Sequence, residues 1–247
     1  VASGLLVAQL AGALAALAML VLAMAPADRV TSPRAGRAEL AAAARAHADA
    51  PRYLWPAALL DTFTQQLPLV LIAAWYSQAL AGQFSLAWRM LAVPLFMLSA
   101  AAASVFYQRM ATLADRPREA RALLLGSWRL FAGVGALPAL VVMLWGEPLF
   151  VFVFGTEWAA AGRIAAVLMP MLWAMFVSAP TSSALIVLGL QRWSVVFGLA
   201  MLVVRPLAFW IGAQQGRLET GLWAWVGGEL LLIAGYNLLI LRRLRET

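Results

Sequence analysis

The stretch LFAGVGALPALVVMLWGEPLFVFVF, residues 130–154, contains one charged side chain, Glu147, and is otherwise almost entirely apolar. An α-helix rises about 1.5 Å per residue, so about 20 such residues cross a hydrocarbon core of about 30 Å. Backbone groups in lipid must be paired within a helix or a closed barrel, and an unbroken apolar run favours the helix over the alternating strands of a barrel. Residues 130–154 therefore predict a transmembrane helix.

The same pattern recurs along the whole chain. The other apolar stretches are residues 4–24, 54–75, 84–106, 164–190, 193–213 and 221–241. The chain is 64% hydrophobic and 12% charged, with a mean hydropathy of +0.85, and a soluble domain of this size could not bury so much apolar surface. We therefore predict an all-α polytopic membrane protein with about seven transmembrane helices.

The basic residues are concentrated in alternate gaps between these stretches. All 18 are arginine, and most lie in the gaps 25–53 and 107–129, after the fifth stretch, or in the C-terminal tail. The opposite gaps contain only Arg217 and, at the edge of a stretch, Arg163. The positive-inside rule places the first set in the cytoplasm, so we expect the N-terminus outside and the C-terminus inside.

The gap at residues 25–53 is the one long linker, broken by prolines and glycine. We interpret it as a cytoplasmic linker between a first span, residues 1–24, and a six-helix transmembrane lobe, residues 54–247. The first stretch lacks the basic start of a signal sequence and is too long for one. We therefore expect residues 1–24 to be the last helix of a preceding N-terminal lobe, so that the chain is the C-terminal portion of a longer protein.

Several function classes find no support in the sequence. The pI of about 11.2 would suit a nucleic-acid partner, but membrane topology explains the arginines, so none is expected. The absence of cysteine excludes disulfides and thiol chemistry. The single histidine, His47, lies in the linker beside Asp49, and neither a phosphate-binding glycine loop with lysine nor an HExxH motif occurs. We therefore expect no enzyme, no metal site and no cofactor.

Charged residues inside the apolar stretches are the candidates for function. A charge at the centre of a membrane costs about 2.5–3.5 kcal/mol on insertion scales, so it usually faces a partner or a polar cavity. Arg205 and Glu229 lie in consecutive stretches, and both fall about 12 Å below the outer surface. Their matched depth predicts that they face the interior of the bundle and interact.

Four further residues complete the set of candidate substrate-binding residues. Arg89 lies about 8 Å below the same surface. Asp61 lies in the second stretch and is followed by Gln65 and Gln66. Arginines biased to the outer half suggest a cationic cavity for a phosphate or pyrophosphate group. The structural alternatives are a purely structural ion pair between Arg205 and Glu229, an Arg89 that snorkels to the interface, and an Asp61 that hydrogen-bonds within the bundle.

A series of short motifs resembles a known family. They are TQQLP (64–68), AGQFSLAWR (81–89), FGTEW (154–158), AGR (161–163), LMP (168–170) and GLQR (189–192). In order and spacing they resemble the C-terminal half of bacterial polysaccharide flippases. These are the Wzx-type O-antigen and exopolysaccharide translocases of the multidrug/oligosaccharidyl-lipid/polysaccharide exporter superfamily.

The resemblance implies two six-helix lobes that give alternating access in the bacterial plasma membrane. It implies an undecaprenyl-pyrophosphate-linked oligosaccharide as substrate, with Arg89, inside a matching motif, near the pyrophosphate. The implied partners are membrane lipid, the N-terminal lobe of the same protein and polysaccharide polymerase machinery. The alternatives are a peptidoglycan-precursor flippase, a multidrug or cation antiporter and, from another class, a membrane glycan polymerase or ligase.

Overall fold

The computed structural model describes residues 55–113, 115–190 and 192–246, together with residues 11, 12, 14–16, 18, 19 and 36. The chain divides into two compact units, Val1–Ala48 and Asp49–Thr247. The described residues between 11 and 19 are helical. Most of the first predicted span, and all of the predicted linker except Gly36, lie outside the described residues.

The second unit is a bundle of helices joined by short turns. They are α1 (Trp55–Trp75), α2 (Gln78–Ala111), α3 (Pro117–Phe154), a 3₁₀ turn (Thr156–Trp158), α4 (Ala159–Val187), α5 (Arg192–Gln214) and α6 (Leu218–Glu246). Each of the six predicted stretches from residue 54 onward coincides with one α-helix, and the described residues form no strand. The predicted all-α membrane fold is confirmed.

Five helices of the described chain, α2 to α6, are long and apolar enough to cross a membrane. The helix α1 forms over the length predicted for the second span. Its middle carries the polar side chains of Asp61, Gln65 and Gln66.

The helices α2 and α3 extend well beyond the apolar stretches that predicted them. The Ser77 side chain caps α2 by accepting a hydrogen bond of 3.1 Å from the Leu80 N–H. Pro117 begins α3, where its missing N–H costs nothing. Arginine is a good helix former, so the basic gap 107–129 is mostly helical rather than loop. Hydropathy marks the apolar part of a helix, not its ends.

The turns between α1 and α2, between α3 and α4, and between α5 and α6 lie together at one end of the bundle. This end is called the outer end, because the arginine distribution predicts it to be extracellular. The Tyr76 hydroxyl, between α1 and α2, donates to the Phe209 carbonyl of α5 at 2.9 Å. Burial raises the pKa of the Tyr76 hydroxyl above its ordinary value. Gln83 of α2 donates to the Glu157 carbonyl at 2.7 Å and accepts from the Ala161 N–H at 2.9 Å.

The helix α3 bends at Trp145, whose backbone is non-helical (φ −125°, ψ 21°). Pro148 lies just beyond and lacks the N–H that an uninterrupted helix would use, which accounts for the bend. Next to the bend, Gly146 packs directly on α4, because a Cβ there would lie 2.6 Å from the Gly162 carbonyl oxygen. Small residues therefore let the backbones of α3 and α4 meet closely at this point.

The interior contains two apolar clusters, one toward each end. The outer cluster includes Phe84, Leu168, Leu172, Phe209 and Trp225. The inner cluster includes Phe106, Met110, Leu124, Leu185 and Ile240. Large apolar side chains also cover the outside, as expected of a surface in contact with lipid.

A chain of hydrogen bonds joins α3, α4 and α6 near the inner cluster. The Trp128 indole donates to the Thr181 hydroxyl at 3.0 Å, and that hydroxyl donates to the Asn237 side-chain oxygen at 2.8 Å. The Asn237 amide donates in turn to the Ser178 hydroxyl at 2.7 Å. Thr181 is fully buried, so its hydroxyl would be costly to leave unpaired.

Candidate functional site

Arg205 of α5 and Glu229 of α6 form an ion pair inside the bundle. The Arg205 Nε donates to the Glu229 Oε1 at 2.6 Å. Arg205 is 6% exposed and Glu229 is 1% exposed, so both charges are removed from solvent and lipid. Burying two charges costs desolvation free energy, and their mutual attraction offsets this cost only when they meet directly with good geometry. The predicted interaction of the two residues is confirmed.

The second partner of Arg205 comes from the backbone of α1. Its Nη1 donates to the carbonyl oxygen of Thr64. In an uninterrupted helix that carbonyl would accept from the N–H four residues later, but this position is Pro68, which has no N–H. Pro68 therefore leaves the Thr64 carbonyl open, and the guanidinium of Arg205 fills the vacancy. This contact attaches α1 to α5.

The remaining contacts enclose the pair within the protein. The Trp225 indole Nε1, one turn before Glu229, donates to the Glu229 Oε1 at 3.0 Å. The Arg205 Cζ lies 5.8 Å from the centroid of the Trp225 ring, within cation–π range. The Arg205 Nη2 lies 3.7 Å from the sulfur of Met201. All three nitrogens of the guanidinium are thus engaged by protein atoms.

The other carboxylate oxygen of Glu229 is not engaged. Oε2 is buried and has no hydrogen-bond partner among the described residues. A carboxylate oxygen in this state retains acceptor capacity for a water molecule, a proton or a hydroxyl group of a ligand. Within the Arg205–Glu229 pair, the group that can accept a hydrogen bond from a further donor is therefore the Glu229 carboxylate.

Aromatic rings pack beside the pair on its α2 side. Trp225 stacks on Trp88 at a centroid distance of 5.9 Å and contacts Phe209 at 5.6 Å. Phe84 lies 6.0 Å from Trp88 and 6.1 Å from Trp225. These rings exclude water, and an electrostatic attraction is stronger in such a low-dielectric setting.

Arg89 and Arg163 lie in different surroundings from Arg205. Arg89 directly follows Trp88 but is exposed, and it makes no ion pair with any residue that the structure describes. Arg163 pairs with Glu147 at 2.7 Å, with both side chains about half exposed. Arg163 and Arg205 thus both have carboxylate partners. Arg89 is the one whose charge the described protein leaves unbalanced.

Asp61, Gln65 and Gln66 lie on the exposed side of α1, whereas Thr64 between them is buried. The Gln65 Nε2 donates to the Asp61 Oδ2 at 2.6 Å, one helical turn apart. The structure therefore separates two faces of α1. On the buried face, the Thr64 carbonyl accepts a hydrogen bond from Arg205. On the other face, Asp61, Gln65 and Gln66 form an exposed polar strip.

Residues 4–163 match a family of proteins described as polysaccharide biosynthesis protein. The chain belongs to the polysaccharide biosynthesis protein family. No curated protein and no solved structure matches it. The matched range of this family includes Asp61, the Thr64–Pro68 element and Arg89. It ends before Arg205 and Glu229, which the geometry of the bundle connects to it through the Thr64 carbonyl.

Sequence reasoning found the ion pair and noted the motif from Thr64 to Pro68, but it did not predict that the Thr64 carbonyl would pair with Arg205 or that Trp225 would donate to Glu229. The signal for Thr64 was present, because a proline inside a helix frees the carbonyl four residues before it. Trp225 precedes Glu229 by four residues, which places both on one helix face. Which donor would reach the free carbonyl depends on how α1 packs on α5, and the sequence does not specify that packing.

Proposed function

We propose that this chain forms part of a translocase for an undecaprenyl-pyrophosphate-linked oligosaccharide in the bacterial plasma membrane. Membership of the polysaccharide biosynthesis protein family supports a role in making or exporting a polysaccharide. The five helices of membrane-spanning length support a role within the bilayer. The product would be a surface polysaccharide such as O-antigen or exopolysaccharide, with the C-terminus of the chain in the cytoplasm.

The observation that carries this proposal is the state of Arg89. It lies eleven residues after the first residue of α2, about 16 Å along the helix. It is exposed and has no carboxylate partner among the described residues, unlike Arg163 and Arg205. An arginine at membrane depth favours an anionic partner, and its planar fork of donors matches phosphate oxygens. A lipid-linked pyrophosphate meets that requirement.

The exposed strip of α1 would then contact the sugar. Asp61, Gln65 and Gln66 offer carboxylate and amide groups, which exchange hydrogen bonds with hydroxyls. Arg205 and Glu229 would serve mainly to hold α1, α5 and α6 in place, with Glu229 Oε2 as the atom open to a further donor. An N-terminal lobe of the same protein would supply the opposite wall, and polymerase machinery would receive the product.

The test is complementation of a flippase-null strain with the gene, including any flanking sequence that it encodes. The variants are Arg89→Gln and Arg89→Lys, and the readout is surface polysaccharide at equal protein abundance. Arg109→Gln is the matched control, since Arg109 is also an exposed arginine of α2 but lies in its last turn. We expect Arg89→Gln to lose transport, Arg89→Lys to keep part of it, and the control to keep all of it.

Full surface polysaccharide from Arg89→Gln would contradict the role of Arg89, which would then be an arginine that reaches the membrane interface. Failure of the unaltered gene in flippase-null strains would contradict the proposed activity itself. A peptidoglycan-precursor flippase would carry a lipid of the same class. It would be recognised by rescue of cell-wall synthesis instead of surface polysaccharide.

A further inference from the structure

A cleft of about 610 Å³ opens at the end of the bundle opposite Tyr76. The turn between α4 and α5 forms one wall, and the last turns of α6 form the other. Its lining residues are Leu188, Gly189, Leu190, Trp193, Gly235, Leu238, Leu239, Arg242 and Arg243. None of these residues belongs to the Arg205–Glu229 site.

Two glycines shape this cleft. Gly189 has φ of 67°, a left-handed conformation that lets the chain turn sharply after α4. The turn is closed by the Leu190 N–H, which donates to the Leu185 carbonyl at 2.9 Å. Gly235 is exposed, and the nearest atom to a Cβ there would be a Phe197 ring carbon at 4.0 Å. The missing side chain therefore leaves open space in the wall formed by α6.

The lining combines an apolar floor with a cationic rim. Leucines and the ring of Trp193 make up the apolar part, and Arg242 and Arg243 are both exposed at its edge. A soluble anion would use the arginines but not the leucines. A lipid with an anionic headgroup would use both, because its phosphate pairs with guanidinium groups while its acyl chains lie against apolar side chains. Tryptophan is also typical of the depth at which headgroups lie.

We propose that this cleft binds an anionic phospholipid of the phosphatidylglycerol class. The arginine distribution predicts that this end faces the cytoplasm, so the lipid would come from the cytoplasmic leaflet. Such basic pockets between helices are where anionic headgroups bind. The bound lipid would fill the space beside Gly235 and join the α4–α5 turn to the end of α6. This inference does not depend on the transported substrate.

The experiment measures lipid retained by the purified protein in native mass spectrometry, with phosphatidylglycerol and phosphatidylcholine compared at equal concentration. The test variant is Arg242→Gln. The control variant is Arg118→Gln, which removes the same charge from an exposed arginine at the start of α3. An arginine near a headgroup contributes about a factor of five, so the test variant should bind phosphatidylglycerol about five-fold more weakly. The control should bind it as the unaltered protein does.

A second variant tests the cleft without changing its charge. Gly235→Leu should fold, because Phe197 leaves room for a Cβ, and its side chain should fill the space beside the rim. We expect it to reduce phosphatidylglycerol binding while both arginines remain. Equal retention by the unaltered protein and by both variants would overturn the proposal.

Two competing ligands, inorganic phosphate and undecaprenyl pyrophosphate, test whether the cleft binds the phosphate of a phospholipid or of another molecule. Inorganic phosphate at millimolar concentration should not displace phosphatidylglycerol, and displacement would show a simple anion site instead. Undecaprenyl pyrophosphate should compete no better than phosphatidylglycerol itself. Preferential binding of undecaprenyl pyrophosphate would overturn the phospholipid assignment and give the cleft to the transported lipid. Failure of the unaltered gene to restore surface polysaccharide in the complementation assay, with lipid retention intact, would refute the proposed function alone.

Discussion

Arg205 occupies the hydrogen-bonding position that Pro68 leaves empty. Pro68 has no N–H to give the Thr64 carbonyl, and the guanidinium of Arg205 donates to that carbonyl from another helix. The same guanidinium pairs with Glu229. One side chain of α5 thus satisfies a backbone group of α1 and a carboxylate of α6, in a place where water is excluded.

Removing one charge of the pair should cost more than removing both. Arg205→Met leaves the Glu229 carboxylate buried without a counter-charge, and such a loss costs about 3–5 kcal/mol in the free energy of unfolding. Arg205→Met combined with Glu229→Gln should recover a large part of that loss. Thermal or chemical unfolding of the purified protein in detergent measures both. A double variant less stable than Arg205→Met would contradict this account.

Pro68→Ala should reduce the loss of stability that Arg205→Met causes. The substituted alanine would give the Thr64 carbonyl an N–H from its own helix, so Arg205→Met would no longer leave that carbonyl unpaired. A double-mutant cycle of the two positions should show coupling of about 1–3 kcal/mol, the cost of an unsatisfied buried acceptor. Additive effects would mean that the carbonyl finds another donor. Pro94→Ala in α2, at an exposed position, serves as the control.

Trp225→Phe should destabilise the protein, whereas Trp223→Phe should have little effect. Trp225 is 1% exposed, and its indole donates to the Glu229 Oε1, a hydrogen bond to a charged group worth about 1.5–3 kcal/mol. Trp223 lies on the same helix but is 53% exposed. The two substitutions are chemically identical, so unequal shifts in unfolding midpoint isolate the buried contact. Equal shifts would count against the hydrogen bond.

Gly162→Ala should weaken the contact between α3 and α4. A Cβ at this position would lie 2.5 Å from the Glu147 Cα and from the Gly146 carbonyl oxygen, and backbone cannot yield cheaply. We expect a loss of about 1–3 kcal/mol, as in other overpacked interiors. Gly133→Ala in α3 is the control, because nothing lies within 4 Å of its Cβ position. A neutral Gly162→Ala would show that the two backbones are farther apart.

Single cysteines in this cysteine-free chain should report its orientation. Gln215, exposed in the turn between α5 and α6, should react as Gln215→Cys with an impermeant thiol reagent added to whole cells. Thr112, exposed at the other end of the bundle, should react as Thr112→Cys only after the cells are permeabilised. The opposite labelling pattern would reverse the topology predicted from the arginines.

The sequence predicted the helices of the bundle because apolar runs of membrane length leave the backbone little choice but to form helix. It also predicted the pairing of Arg205 with Glu229, since consecutive antiparallel helices bring equal depths together. It did not predict that Arg163 would form an ion pair with Glu147. Their approach depends on the bend at Trp145 and on the packing of Gly146 against α4. Such contacts follow from how helices pack, and hydropathy carries no information on packing.

The basic gap 107–129 is largely helical. Arg109 and Arg129 were assigned to a cytoplasmic gap, and both lie in helices that continue past the apolar region. Charge reports where a helix leaves the hydrocarbon, while capping residues such as Ser77 report where it begins. The apolar stretch starts six residues after the beginning of α2 and 13 residues after the beginning of α3.

The hydrogen bonds from Trp128 through Thr181 and Asn237 to Ser178 run in a fixed sense. The indole can only donate, so the Thr181 hydroxyl must point its proton at Asn237, which fixes the orientation of that amide. Rotating α4 about its axis by one residue would break all three bonds at once, because Thr181 and Ser178 both belong to α4. These hydrogen bonds therefore fix the positions of α3, α4 and α6 relative to one another. A conformational change that preserves these bonds must carry the three helices along as a single piece.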